Sequence, residues 1–254
     1  MVMQHDDGTT LNTQNKTVVQ AGTDVEIDAS LREYMLRVYN YMASGLALTG
    51  LVAYFSANTP AILNMLYIAS ESGQLQPTGL AYVVMFSPLA FVLVLSFGIN
   101  KMQASTAQVV FWAFAAVMGL SLANIFLVYT GASITRVFFI TAGTFAGMSL
   151  YGYTTKRDLS GMGSFLIMGL IGIIIASIVN MFLASSALHF VISVVGVLVF
   201  VGLTAYDTQK IKSMFVETDG AEVMTKKAVM GALTLYLDFI NMFIMLLRLF
   251  GQRR

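Results

Sequence analysis

Two aspartates stand in segments that otherwise read as hydrocarbon-buried helix: Asp207 in GLTAYDTQKI and Asp238 in LTLYLDFINM. A carboxylate at the centre of a membrane helix costs roughly 2.5–3.5 kcal/mol on insertion scales, so such groups face protein or water and mark functional positions. If the two face each other in a poorly solvated bundle, both cannot stay charged cheaply, and a shared proton makes them titrate as one unit. Protonated, the pair bridges two helices. Deprotonated, it repels itself or accepts a cation, and its oxygens suit a hard ion such as calcium, held transiently by Asp207 and Asp238. Tyr206, Tyr236 and Asn241 could add oxygen ligands or hydrogen bonds. This is the chemistry of a pH-sensitive latch or an ion site. Plainer readings stand beside it: Asp207 as a helix-end charge satisfied by Lys210 or by headgroups, and Asp238 as a structural group.

The rest of the chain must position that pair. Of 254 residues 57% are hydrophobic, mean hydropathy is +0.77, and only 11% are charged, against about 25% in a soluble domain. That composition describes a polytopic membrane protein with the lipid bilayer as its first partner. The formal net charge of +1 gives no field for nucleic acid. Cysteine is absent, and the two histidines, His5 and His189, lie far apart and make no metal motif. No cofactor is expected. Residues 1–30 lack the pattern of a signal peptide, and their polar content predicts a flexible cytoplasmic tail ahead of a membrane domain over 31–254.

Seven apolar segments are long enough to cross about 30 Å of hydrocarbon: 35–56, 80–99, 108–129, 134–153, 164–183, 189–209 and 228–249. Irregular backbone is not tolerated in lipid, which makes helices the economical form and the fold class all-α. The longest connection, 57–79, holds an apolar middle, AILNMLYIA, that suits a short interfacial helix. GTFAG (Gly143–Gly147) and the GLIGIII run from Gly169 suggest close helix contacts. Asn180 reads as a donor for an interhelical hydrogen bond or a substrate contact.

On the last segment Lys227, Gly231, Thr234, Asp238, Asn241, Met245 and Arg248 recur at spacings of three and four, one polar or small stripe. Asp238 lies about twelve residues, or about 17 Å, from Lys226 and Lys227, near the bilayer middle. Of the 14 Lys and Arg, an inside N-terminus places all but Arg136, Arg248, Arg253 and Arg254 on the inner side, which sets N-inside and C-outside. The arginines at the C-terminus are the discordant element, and a half-inserted last segment is the alternative. Lys101, closing the second segment, snorkels to headgroups or pairs with an aspartate of the bundle.

The stretches AYDTQKIK and LYLDFINMFIMLLRLFG, with KRDLSGMGSFL after the fourth segment, resemble the Bax inhibitor-1 family (the transmembrane BAX inhibitor motif family) in its bacterial branch, from about Leu31 to Gly251. The resemblance implies seven transmembrane helices with the last one central. It implies a bacterial plasma-membrane protein that is not an enzyme. It also implies a pH-sensitive calcium leak, with the family's paired aspartates falling on Asp207 and Asp238 and its basic latch on Lys101. The family's bacterial pattern favours arginine in a short basic run, whereas this chain has NKMQAS, and lysine lacks the rigid guanidinium fork. Two other functions use the same residues: a proton-coupled exchanger, and a membrane regulator that binds other membrane proteins and needs the pair only for stability.

Overall fold

The computed structural model describes residues 8–69 and 75–254, with side chains over 28–68 and 76–254. The expected tail, residues 1–30, lies almost wholly outside the residues described with side chains. The elements run α1 (Gly8–Asn58), α2 (Pro60–Leu66), β1 (Tyr67–Ala69), β2 (Leu75–Pro77), α3 (Gly79–Gly98), α4 (Ala104–Ser121), α5 (Ala123–Val128), α6 (Gly131–Thr154), α7 (Ser160–Leu183), α8 (Ser186–Ser213) and α9 (Ala221–Phe250). Six helical segments are long and apolar enough to cross a membrane, with α4 and α5 counted as one. A seventh is reached if α1 and α2, bent by 89°, form one span. The chain is therefore an all-α polytopic membrane protein with six to seven such segments.

The apolar segments read from the sequence fall on these helices. Only 108–129 is interrupted, at Leu122, whose backbone (φ −90°, ψ 2°) separates α4 from α5. The long connection departs from expectation. Pro60 starts α2, as its fixed φ favours, but the helix stops at Leu66, and Tyr67 turns extended. The end of the apolar run becomes a strand, pairing antiparallel with β2 through Ile68 opposite Gln76. Thr78 closes the hairpin onto the helices: its backbone N–H donates to Leu66 O (2.9 Å), and its hydroxyl donates to Met65 O (2.9 Å) and accepts from Ala81 N (3.2 Å).

Pro88 lies inside α3. Its missing N–H would leave the Val84 carbonyl unpaired in hydrocarbon, and the neighbouring Ser87 hydroxyl donates to that oxygen at 2.9 Å. At the α7–α8 corner Ala184 takes a left-handed conformation (φ 47°), and Asn180 Oδ1 accepts from Ser185 N at 3.0 Å. Asn180 thus ends its own helix and, among the described residues, its side chain makes only this local bond rather than the bundle contact the sequence suggested.

The last helix is the most enclosed. Along α9 72% of the apolar segment is buried, against 39% for α8 and 11% for α3 and for α7. It packs on α1, α3, α4, α6 and α8. Its two ends are pinned at opposite ends of the bundle. Lys227 Nζ, near the start, donates to Met214 O (2.8 Å) and pairs with Asp219 (2.5 Å) in the α8–α9 connection. Beyond its end, Thr130 N donates to Gln252 O and Arg254 N to Val128 O, each at 3.0 Å. Gln252 N adds a bond to the Ser133 hydroxyl at 2.8 Å. The final segment is one continuous helix of 30 residues packed through the bundle.

The tightest helix contact is also not where the glycine spacing pointed. A Cβ on Gly143 or Gly147 would meet nothing within 4 Å, and Gly169 only approaches Val199, at 3.2 Å. At Gly152, by contrast, a Cβ would lie 2.2 Å from the Ala205 carbonyl oxygen. That glycine brings the backbones of α6 and α8 together two residues before Asp207.

Candidate functional site: a carboxyl pair in a lateral cavity

The connection over 214–220 returns the chain from α8 into α9, so the two helices lie antiparallel and packed along their length. This brings the carboxyl groups of Asp207 and Asp238 close together. Two carboxylates are acceptors only, so a bond between them requires a proton on one. Asp238 is 5% exposed, and its Oδ2 has no hydrogen-bond partner among the described residues. Asp207 is half-buried and feels the positive charge of Lys210 one turn on. That lysine makes no direct ion pair among the described residues. Its ammonium lies 5.9 Å from the centre of the Tyr206 ring.

Both aspartates line a cavity of about 810 Å³ walled by α3, α4, α7, α8 and α9. Thr234, Asn241 and Met245 line it from α9, so the middle of the stripe read from the sequence faces this space. Tyr206 and Lys210 line it from α8. Tyr206 is held against α7, where a Cβ on Gly163 would lie 2.4 Å from its ring. The Asn241 amide donates to Leu237 O at 2.8 Å, one turn back on its own helix.

Tyr236 is placed elsewhere. Its ring packs edge-on against Phe114 (5.0 Å between centres), and its hydroxyl bonds Thr49 at 2.6 Å, which in turn donates to Ala115 O at 2.7 Å. It faces α1 and α4 and does not line the cavity, because two residues along a helix turn a side chain through roughly 200°. Tyr236→Phe should therefore leave any calcium binding at the carboxyl pair unchanged and lower stability by about 1 kcal/mol, the net worth of one hydrogen bond. A thermal melt beside a calcium titration checks both. Lys101 is exposed beyond the end of α3, with its N–H on Gly98 O at 2.8 Å, and does not line the cavity.

A family model described as "Inhibitor of apoptosis-promoting Bax1" matches residues 31–254, from within α1 to the last residue. The chain belongs to the Bax inhibitor-1 family. It is similar to the inner membrane protein YbhL of Escherichia coli K12, 49% identical over 91% of this chain and 96% of that one. It is also similar to protein RP147 of Rickettsia prowazekii, 48% identical over 94% and 98%. Membership of the Bax inhibitor-1 family agrees with the expectation that the chain is not an enzyme.

Within this Bax inhibitor-1 bundle, sequence reasoning missed the residues that brace the aspartate on α8. Thr208 bonds the Ser149 hydroxyl at 3.0 Å, and Ser149 bonds Tyr39 OH at 2.7 Å, tying α1, α6 and α8 together. Gln209 spans the α6–α7 connection: its Oε1 accepts from Leu159 N (2.9 Å), and its Nε2 donates to Arg157 O (2.8 Å). In the same connection Asp158 accepts from Ser160 N at 2.9 Å, and its hydrogen bonding with Ser160 holds its carboxyl below the usual carboxylate range. The available signal was adjacency, three consecutive polar side chains from Asp207 to Gln209 on an otherwise apolar helix.

Proposed function

We propose that this chain is a pH-sensitive, calcium-permeable leak of the bacterial inner membrane, controlled by the proton that Asp207 and Asp238 share. One observation carries the reading: a carboxyl buried to 5% exposure with one oxygen unpartnered, close to a second carboxyl, both residues lining a large cavity. With the proton in place the pair bridges α8 and α9. Its loss sets two like charges in contact and offers their oxygens to a cation. Among the described residues no third acidic or histidine side chain joins them. A calcium ion there would keep water or neutral oxygens for most of its six to eight ligands, which suits passage better than storage.

Purified protein in liposomes tests this. Passive downhill calcium flux that varies with pH supports the leak. Uphill flux driven by a proton gradient would assign the same pair to an exchanger, and no flux would leave a membrane regulator that binds other membrane proteins.

The reading places the N-terminus in the cytoplasm and counts seven crossings, with α9 at the centre. The pinning of α9 at both ends of the bundle and the Lys and Arg asymmetry support it. Reporters fused after Ser30 and after Arg254 should report opposite sides of the membrane. Both ends in the cytoplasm would remove the seven-crossing topology.

In this scheme Lys101 is a latch that acts on Asp207 only if the end of α3 swings toward α8, whereas Lys210 acts on it as the chain stands. Lys101→Ala should raise the leak near neutral pH several-fold without changing ion preference. An unchanged leak and unchanged pH response would leave Lys101 as a headgroup contact and Lys210 as the cation that matters.

A further inference from the structure

The cavity beside the aspartates has a wall that ion passage does not explain. On one side stand Leu89 of α3 and Ile174, Ile178 and Met181 of α7, all of which line the cavity and are half or more exposed. In a membrane span such faces meet acyl chains rather than water. α3 packs on α4 and α9, and α7 packs on α8, but these two walls are not extensively packed on each other. The cavity is thus open sideways, toward hydrocarbon. A hydrated cation gains nothing by that route, and an apolar chain does.

The inner end of the same space is polar. The Asp207 and Asp238 carboxyls line it together with Tyr206 and Thr234, whose hydroxyl donates to Met230 O at 3.1 Å and keeps its lone pairs to accept. An ammonium group has three N–H donors and one positive charge. It needs three acceptors and a single net negative charge, which two carboxyls sharing one proton supply together with a neighbouring hydroxyl. Lys210 does not fill this role, since its ammonium packs over Tyr206 without an ion pair to either carboxyl among the described residues. A volume of about 810 Å³ falls in the range of pockets for drug-sized ligands, roughly 300–1,000 Å³.

We propose that the cleft between α3 and α7 binds a membrane-borne alkylamine, with its chain between the two helices and its ammonium head on Asp207 and Asp238. The amine reaches the site from within the bilayer. This uses the carboxyl pair assigned above but does not require that the protein conduct calcium.

The test uses the full chain in liposomes and radiolabelled dodecylamine as the probe, with dodecanol and ethylamine as competitors. Saturable dodecylamine binding is expected above the partition seen in protein-free vesicles. Neither the neutral chain nor the short amine should compete at the same concentration. Asp238→Asn should weaken binding about tenfold or more, the loss of a charge-assisted contact. Ile174→Trp, at a lipid-facing position where added bulk leaves the core intact, should weaken it similarly by closing the sideways opening. Partition into lipid alone, equal competition by dodecanol, or full binding by both variants would each overturn the proposal. Calcium flux in the same vesicles without amine keeps the two readings apart. Flux that varies with pH but no saturable amine binding would remove only this inference. Amine binding without such flux would remove only the leak.

Discussion

Asp207→Asn and Asp238→Asn should each flatten the pH dependence of calcium flux between about pH 6 and 8. Each substitution removes one ionisable group and keeps much of its shape. On the proposed reading a proton and a cation compete for the same oxygens of the pair, so calcium binding should strengthen as pH rises. With an asparagine in either place the remaining carboxyl has no like-charged neighbour, and the competition loses its coupled form. Asp238→Asn should cost more calcium affinity, about tenfold or more, or roughly 1.4 kcal/mol. Asp238 is the buried member, with an oxygen that no other described group satisfies. Asp207 is half-buried near Lys210, so water replaces part of what it offers. Because the two act as one unit, the double variant should add much less than the sum of the single effects. A wild-type pH response in both single variants would remove the pair from the mechanism.

Gly152→Val should be the most damaging change away from the carboxyls. Even a Cβ at this position would lie 2.2 Å from the Ala205 carbonyl oxygen and 2.9 Å from its carbonyl carbon and Cα. These are backbone atoms of α8 and cannot turn aside as a side chain would. α6 and α8 must then separate, at a cost of about 3 kcal/mol or more at the upper end of overpacking. The separation also pulls Thr208 from Ser149 and disturbs the helix that carries Asp207. Heating the protein in detergent should show a lowered unfolding temperature. Gly147→Val, at a site with nothing within 4 Å of its Cβ, should not show it. Equal behaviour of the two variants would contradict the packing described for α6.

The carboxyl pair was legible because its signals are local. Two charges inside apolar runs, a stripe of three- and four-residue spacings on α9, and one short connection suffice to bring Asp207 and Asp238 together, whatever the rest of the bundle does. The helical segments were legible for the same reason, since hydropathy is summed along the chain. What escaped depends on partners distant in sequence. Tyr236 is two residues from Asp238, yet it is claimed by Thr49, 187 residues away. Gly152 and Ala205 meet across two helices, and no spacing within α6 distinguishes Gly152 from Gly147. The strand at Tyr67 reads as helix until β2 supplies its pairing partner. The cavity itself belongs to no single segment, because five helices form its walls.

The most direct test is an infrared titration of the protein in lipid, which follows the carbonyl stretch of a protonated carboxyl apart from the carboxylate band. One band that shifts with pH, moves when calcium is added, and is altered in both Asp207→Asn and Asp238→Asn is the result expected of a proton held between the two groups. A band lost in one variant and untouched in the other, or no calcium-sensitive band at all, would contradict a shared proton.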